Sequence, residues 1–290
     1  MYLELSFDLG NLDSQAAEAA GFACGACAVT FVDARDDAVL EPAPGEVRLW
    51  PATRVKCLFA GDADLAGLIR ALGAALGLDC ALISTQRIAD RAWEREWLKD
   101  FHALRFGERL WVCPRHEQVT APGAVVVTLD PGLAFGTGTH ASTALCLAYL
   151  DAHLTCPATV IDYGCGSGVL ALAAVKLGAR AAHCFDIDPQ ALSATRENAA
   201  ANAIGSQVYV HASAATLPPD ADLLLANILA APLCALAPGF AALVRRGGAL
   251  VLAGLMEGDV PDVTGAYAAC FDVARFGDRD GWVCLAGRRR

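Results

Sequence analysis

The first third of the chain alternates between the hydrophobic periodicities of strands and of helices. Apolar residues recur at every second position in Tyr2–Leu9 and at helical spacing in Asp64–Leu76, after which Gly77 stands where a helix C-cap is expected. Further elements are predicted at 12–22 (helix) and at 28–33, 47–59 and 81–88 (strands). The resulting order, β-α-β-β-α-β, predicts a small ferredoxin-like α+β domain.

From about residue 118 the pattern changes to strand, glycine turn and helix, repeated along the chain. The strand Thr159–Asp162 precedes a helix at Val169–Leu177, and the strand Ala181–Asp186 precedes a helix at Pro189–Asn202. This alternation predicts parallel strands joined by right-handed crossovers, a doubly wound Rossmann-like α/β sheet. Further strands are predicted at 207–211, 222–226 and 249–253, with a closing antiparallel hairpin over 271–286.

Residues 89–117 differ from both regions because aromatic side chains are mixed with charged ones. Trp93, Trp97, Phe101 and Phe106 predict a helical connector whose aromatic stripe packs between domains. We therefore divide the chain into an N-terminal domain (1–88), a connector (89–117) and a second domain (118–290).

Three glycines follow the strand Thr159–Asp162, at Gly164, Gly166 and Gly168. Open α/β sheets bind ligands at the carboxyl ends of their strands, and glycine lets the backbone approach a ligand closely. The spacing G-x-G-x-G departs from the dinucleotide fingerprint G-x-G-x-x-G, and the turn holds no Lys or Arg to neutralise a pyrophosphate. These features favour S-adenosylmethionine, with Gly164 and Gly166 binding it. A nicotinamide dinucleotide is the alternative.

A carboxylate stands 18 residues beyond Gly168, at Asp186, where the next strand ends. A carboxylate in this position can accept hydrogen bonds from both hydroxyls of a ribose. Asp186 is therefore predicted to bind the cofactor. Asp188 is instead expected to cap the helix that opens at Pro189.

The segment 130–143 is dense in glycine, serine and threonine, and it leads into an apolar helix predicted at 144–150. A helix N-terminus favours an anion, so the methionine carboxylate of the cofactor can dock there. Thr143 is predicted to contact the cofactor directly. The alternative is that Ser142 or Thr143 only caps its own helix. His140 is not assigned as a base, because a lone histidine is usually structural or exposed.

Asn227 lies between two apolar runs, at the carboxyl end of a predicted strand. Methyl transfer to nitrogen is a direct displacement, so the amine must present its lone pair in line with the methyl group. An amide oxygen can accept the amine's N–H bonds and aim that lone pair, which is catalysis by orientation. Asn227 is the predicted catalytic residue, and no general base is identified. The alternative is a buried asparagine that bonds a loop.

The net charge of −10 argues against a protein that grips nucleic acid through phosphates, and it suits a basic partner. The hydrophobic runs are too short for a membrane span, and the start does not resemble a signal peptide. The 12 cysteines are scattered through apolar stretches, and Cys24 and Cys27 have no second ligand pair nearby, so no metal site is predicted. We expect a cytoplasmic protein.

Five segments of the chain together resemble the methyltransferases of ribosomal protein eleven of the large subunit. The most specific is the run LDPGLAFGTGTH at 129–140. The chain departs from the family pattern at Ala141, where the family usually has proline, and in Gly254–Asp259, which lacks the usual glutamine. The five segments are residues 97–114, 129–150, 160–178, 186–200 and 226–238.

This resemblance implies a seven-stranded class I methyltransferase sheet and methylation of the α-amine and lysine ε-amines of the basic ribosomal protein. It also implies that the N-terminal domain recruits this substrate and that a mobile connector joins this domain to the catalytic domain. By motif position, Thr143, Gly164, Asp186 and Asn227 match the family's cofactor contacts, and Asn227 also holds the amine. Two alternatives stay open: a methyltransferase for another protein amine or amide, and an adaptor without activity. A monomer is favoured, and no contact with nucleic acid or membrane is expected.

Overall fold

The chain divides into two compact units, residues 1–93 and 94–290. The computed structural model describes residues 2–35, 49–88, 102–129 and 139–290. Across these ranges, every helix is too short or too polar to cross a lipid bilayer.

The first unit is a four-stranded antiparallel sheet with the strand order β2-β3-β1-β4. Its elements are β1 (Tyr2–Asp8), α1 (Ser14–Ala23), β2 (Ala28–Asp33), β3 (Thr53–Ala60), α2 (Leu65–Leu76) and β4 (Ser84–Ile88). The predicted order β-α-β-β-α-β is confirmed. Two strands begin later than predicted, and a short 3₁₀ turn at Cys80–Leu82 precedes β4.

The alternation in β1 buries one face of this sheet. Leu3, Leu5 and Phe7 are each at most 2% exposed, and they form one core with Val55 of β3 and Leu72 of α2. The intervening residues of β1 point to the opposite face, as the two-residue period of a strand requires.

The second unit contains a seven-stranded sheet with the order β10-β9-β8-β11-β12-β14-β13. Strands β8 to β12 run parallel, and β14 is antiparallel to both β12 and β13. The strands are β8 (Thr159–Tyr163), β9 (Ala181–Phe185), β10 (Val208–His211), β11 (Ala221–Asn227), β12 (Val244–Met256), β13 (Phe271–Arg279) and β14 (Trp282–Arg289). The doubly wound sheet and its closing hairpin are therefore confirmed.

Helices cover both faces of this sheet. They are α3 (Ala141–His153), α4 (Val169–Lys176), α5 (Pro189–Ala201), α6 (Ala230–Leu243) and α7 (Val260–Tyr267). Residues of α3, α4 and α5 share one core with Leu223 and Leu225, whereas residues of α6 and α7 share the other core with Leu224. Since neighbouring residues of β11 point to opposite faces, a continuous apolar run supplies both cores.

Residues 104–113 correct the prediction of a helical connector. They form β5 (Leu104–Phe106) and β6 (Leu110–Cys113), which pair with each other, and β6 also pairs with β7 (Val125–Thr128). Asp151 of α3 holds the turn between β5 and β6, because its Oδ2 accepts the Glu108 N–H and the Arg109 N–H. Trp93, Trp97 and Phe101 lie outside the described residues.

A buried carboxylate lies within β8, beneath the glycine turn. Asp162 is 1% exposed, and its Oδ2 accepts the Ala171 N–H of α4 at 3.1 Å. The pKa of Asp162 is raised to about 7, mainly by burial. Two smaller effects are included in this value: the Ala171 hydrogen bond lowers the pKa, and the charge of Asp186 raises it. The folded protein therefore binds a proton that the unfolded chain releases near pH 3.8.

Because only the folded state holds this proton between those pH values, the free energy of unfolding should fall as pH rises from about 4 to about 7. We expect Asp162→Asn to remove this dependence. The free energy of unfolding of the variant minus that of the parent protein should rise by roughly 2–3 kcal/mol from pH 5 to pH 8. Urea unfolding at both pH values measures the change, and a stability difference independent of pH would contradict the assignment.

Candidate functional site

A crevice of about 600 Å³ opens at the carboxyl ends of β8, β9 and β11. Its lining includes all five site residues that the sequence predicted, namely Thr143, Gly164, Gly166, Asp186 and Asn227. Residues far apart in the chain therefore meet at one place, as expected where parallel strands end together.

The glycine turn forms one wall of the crevice. Gly164, Gly166 and Gly168 have φ angles of 80°, 53° and 80°, a left-handed region that glycine adopts without the penalty of a side chain. The turn is tied to the next strand, because the Gly164 N–H donates to the Phe185 carbonyl at 2.7 Å. A Cβ atom on Gly164 would overlap Cγ2 of Ile228, so glycine is also required there by space.

Asp186 connects the end of β9 to this turn. Its Oδ2 accepts the Gly166 N–H at 2.9 Å, and its Oδ1 accepts the Asp188 N–H at 3.0 Å. Each carboxylate oxygen has a second lone pair, so both can still accept a hydrogen bond from a ligand hydroxyl. The prediction for Asp188 is confirmed, because its side chain accepts the Gln190 N–H and caps α5.

The start of α3 differs from the prediction. The helix begins at Ala141, and His140 is its N-cap, with Nδ1 accepting the Ser142 N–H and lying 2.7 Å from Ser142 Oγ. Ser142 and Thr143 are therefore inside the first turn, and the alternative that either caps the helix is wrong. The predicted donor-rich loop at 130–138 lies outside the described residues.

Thr143 and Asn227 contact each other across the crevice wall. The Asn227 Nδ2 donates to Thr143 Oγ1 at 3.1 Å, and Thr143 is 3% exposed. With its nitrogen engaged in this way, the amide presents Oδ1 as its acceptor. The contact places the Asn227 amide against the Thr143 hydroxyl, a detail that the sequence pattern does not contain.

Among the residues that the sequence analysis did not assign to the site are two exposed apolar residues in its lining and one glycine that contacts the lining residue Ile228. Ile187 and Leu229 line the crevice although they are 91% and 46% exposed, so a flat apolar ligand could cover them. Gly254, within β12, has a φ of 82°, and a Cβ atom there would overlap the Ile228 carbonyl oxygen. The signal for Gly254 was a lone glycine in a strand, which often marks close backbone approach.

The charge of the crevice matches a nucleoside without phosphate groups better than a dinucleotide. Among the described residues that line it, Asp186 is the only charged side chain, and no Lys or Arg is present to bind a pyrophosphate. Burial raises the pKa of the Tyr163 phenol, so this lining side chain stays neutral. In the described ranges, no three His, Cys, Asp or Glu side chains cluster as a metal site.

Known proteins match the chain along most of its length. The profile of the ribosomal protein L11 methyltransferase (PrmA) family matches residues 1–290. The ribosomal protein L11 methyltransferase of Pseudomonas aeruginosa (strain LESB58) is 46% identical over 267 residues, covering 92% of this chain and 91% of the relative. That of Methylococcus capsulatus is 48% identical over 268 residues, covering 92% of each chain.

A solved structure agrees with these relatives. The crystal structure of ribosomal protein L11 methylase from Lactobacillus delbrueckii subsp. bulgaricus shares 32% sequence identity with the chain, at a TM-score of 0.61. It covers 66% of this chain and 100% of that one. With the whole chain matched by the family profile and with these relatives, the chain belongs to the ribosomal protein L11 methyltransferase family.

Proposed function

We propose that the chain transfers methyl groups from S-adenosylmethionine to amines of ribosomal protein L11, namely the α-amine and lysine ε-amines. The observation that carries this proposal is the crevice where the glycine turn, Asp186 and the Thr143–Asn227 pair converge. The family membership of the chain supports the choice of substrate.

The lining residues suit each part of S-adenosylmethionine. Asp186 would accept hydrogen bonds from the ribose hydroxyls, and Ile187 would pack against the adenine. Gly164 and Gly166 would let the methionine portion lie close to the backbone. The first turn of α3, which contains Thr143, would favour its carboxylate. When bound, the cofactor supplies an electrophilic methyl group on a sulfonium.

Asn227 would orient the amine that receives the methyl group. Its Nδ2 is engaged by Thr143, so its Oδ1 would accept an N–H of the substrate and point the nitrogen lone pair into the crevice. An amide cannot remove a proton from an ammonium, so we propose that water takes it. The contribution of Asn227 is orientation of an amine that is already neutral.

The cofactor assignment is tested by Asp186→Ala. The variant should bind S-adenosylhomocysteine more weakly by about 1.5–3 kcal/mol, the range for lost hydrogen bonds to a charged group. Titration calorimetry measures this, with NADH as the competing ligand. Asp188→Ala is the matched control, since it should cost about 1 kcal/mol of stability as a lost helix cap and leave the affinity unchanged. Heat from NADH alone would end the proposal.

The role of Asn227 is tested by Asn227→Ala. We expect kcat to fall by at least ~100-fold, because the amine is no longer aimed, while the affinity for S-adenosylhomocysteine falls only modestly. Thr143→Val removes the acceptor of the Asn227 amide at similar volume, and it should lower kcat by roughly tenfold. Single-turnover rates would measure both effects. A parent-like rate in Asn227→Ala would refute the orienting role.

We further propose that residues 1–88 recognise the substrate and that 89–117 connect this domain to the methyltransferase domain, 118–290. The helices α1 and α2 share the core on one face of the four-stranded sheet. The other face presents a shallow hollow lined by Tyr2, Glu4, Thr30, Lys56 and Leu58, among others. The net charge of −10 would attract a basic ribosomal protein, and we propose that the chain binds this protein without contacting nucleic acid.

We propose that the protein acts as a cytoplasmic monomer.

Labelling tests the substrate directly. With cofactor carrying a labelled methyl group, purified L11 should acquire label at its α-amine and lysines, as mapped by mass spectrometry. Thr30→Arg, on the open face of the four-stranded sheet, should raise the KM for L11 and leave the affinity for S-adenosylhomocysteine unchanged. Label on a release-factor glutamine and none on L11 would instead support the alternative substrate class, and label on neither would support an inactive adaptor.

A further inference from the structure

Three polar side chains stand on the buried side of α5 and at its C-cap. Thr195, Asn198 and Asn202 are spaced at i, i+3 and i+7, so they lie along one face of the helix. Thr195 is 0% exposed and Asn202 is 5% exposed. Burial of polar groups is costly unless each finds a hydrogen-bond partner, so their partners indicate what this row does.

The first two side chains bind consecutive carbonyls of the glycine turn. The Thr195 hydroxyl donates to the Gly166 carbonyl at 3.0 Å, and the Asn198 Nδ2 donates to the Ser167 carbonyl at 3.0 Å. On the other side of the same backbone, the Gly166 N–H donates to Asp186. The peptide groups around Gly166 are thus held from both sides.

The third side chain, Asn202, binds the backbone of strand β7 instead of the glycine turn. Asn202 pairs with Thr128 as a neighbouring strand would: its Oδ1 accepts the Thr128 N–H at 2.8 Å, and its Nδ2 donates to the Thr128 carbonyl at 2.7 Å. Thr128 ends β7, the strand that precedes α3 and its Thr143. The same Nδ2 donates to the Asn198 carbonyl, so the row is internally connected.

None of the three side chains lines the crevice described above. We propose that Thr195, Asn198 and Asn202 are positioning residues for cofactor binding, which set the glycine turn against Asp186 and tie it to the strand before α3. They therefore determine cofactor affinity without touching the cofactor. This inference rests on the proposed function, because it assumes that the crevice holds S-adenosylmethionine.

The reason for polar residues at these positions is the conformation of the turn. Gly166 and Gly168 have positive φ angles and no side chain, so the turn lacks the steric restraint that Cβ atoms would give it. A Cβ atom on Gly168 would lie 2.8 Å from Thr195 Cγ2, which shows how closely the helix approaches. Apolar residues would fill the same space, but they would leave both carbonyls without these donors and the turn free to shift.

The test is Thr195→Val, which keeps the volume and removes the hydroxyl. We expect the dissociation constant for S-adenosylhomocysteine and the KM for S-adenosylmethionine to rise about three- to tenfold, the factor for one lost hydrogen bond. The kcat at saturating cofactor and the KM for L11 should stay near the parent values. Thr195→Ser keeps the donor and should restore the affinity. Asn198→Ala should behave as Thr195→Val does.

Ser193→Ala is the matched control, since it removes a hydrogen bond to Glu197 on the exposed side of the same helix and should leave affinity unchanged. Parent-like affinity in both Thr195→Val and Asn198→Ala would overturn the inference. Equal losses in Thr195→Val and Thr195→Ser would also overturn it, because the hydroxyl would then be irrelevant. If Asp186→Ala weakens cofactor binding while Thr195→Val and Asn198→Ala do not, the positioning role fails and the proposed function stands. If Asp186→Ala leaves cofactor binding unchanged, the proposed contact between Asp186 and the cofactor is wrong.

Discussion

Ile228 lies in a space that exists only because two flanking residues have no side chain. Gly164 follows β8 on one side, and Gly254 lies in β12 on the other. A Cβ atom on Gly164 would overlap the Ile228 side chain, and one on Gly254 would overlap the Ile228 backbone. This close approach lets Asn227 stand beside Thr143 while the glycine turn faces Asp186. The strong positive φ at both glycines means that larger residues would meet backbone strain as well as overlap.

Much of the fold could be predicted from hydrophobic periodicity. The alternation in β1, the continuous apolar run in β11 and the glycine after Leu76 each have a local physical cause that the sequence displays. The strands β5 and β6 could not be predicted in this way. The pairing of β6 with β7 and the acceptance of the Glu108 N–H by Asp151 join residues distant in the chain. A local pattern of aromatic and charged residues suggested a helix instead.

In the candidate site, too, some features could be predicted from the sequence and others depend on residues distant in the chain. Residue types at strand ends were enough to select Gly164, Asp186 and Asn227, and the structure places them around one crevice. The orientation of the Asn227 amide depends on Thr143, which is 84 positions away in sequence, so no pattern could supply it. His140, not Ser142 or Thr143, caps α3, because its ring nitrogen reaches the Ser142 N–H in place of a hydroxyl oxygen.

The pairing of Asn202 with Thr128 has a further consequence for the small sheet formed by β5, β6 and β7. In that sheet β7 is an outer strand, and outer strands offer free backbone groups onto which a strand of another molecule can add. At Thr128 both backbone groups are already taken by a side-chain amide. One asparagine thus occupies a position that a foreign strand would need, and it helps to keep separate molecules from joining edge to edge.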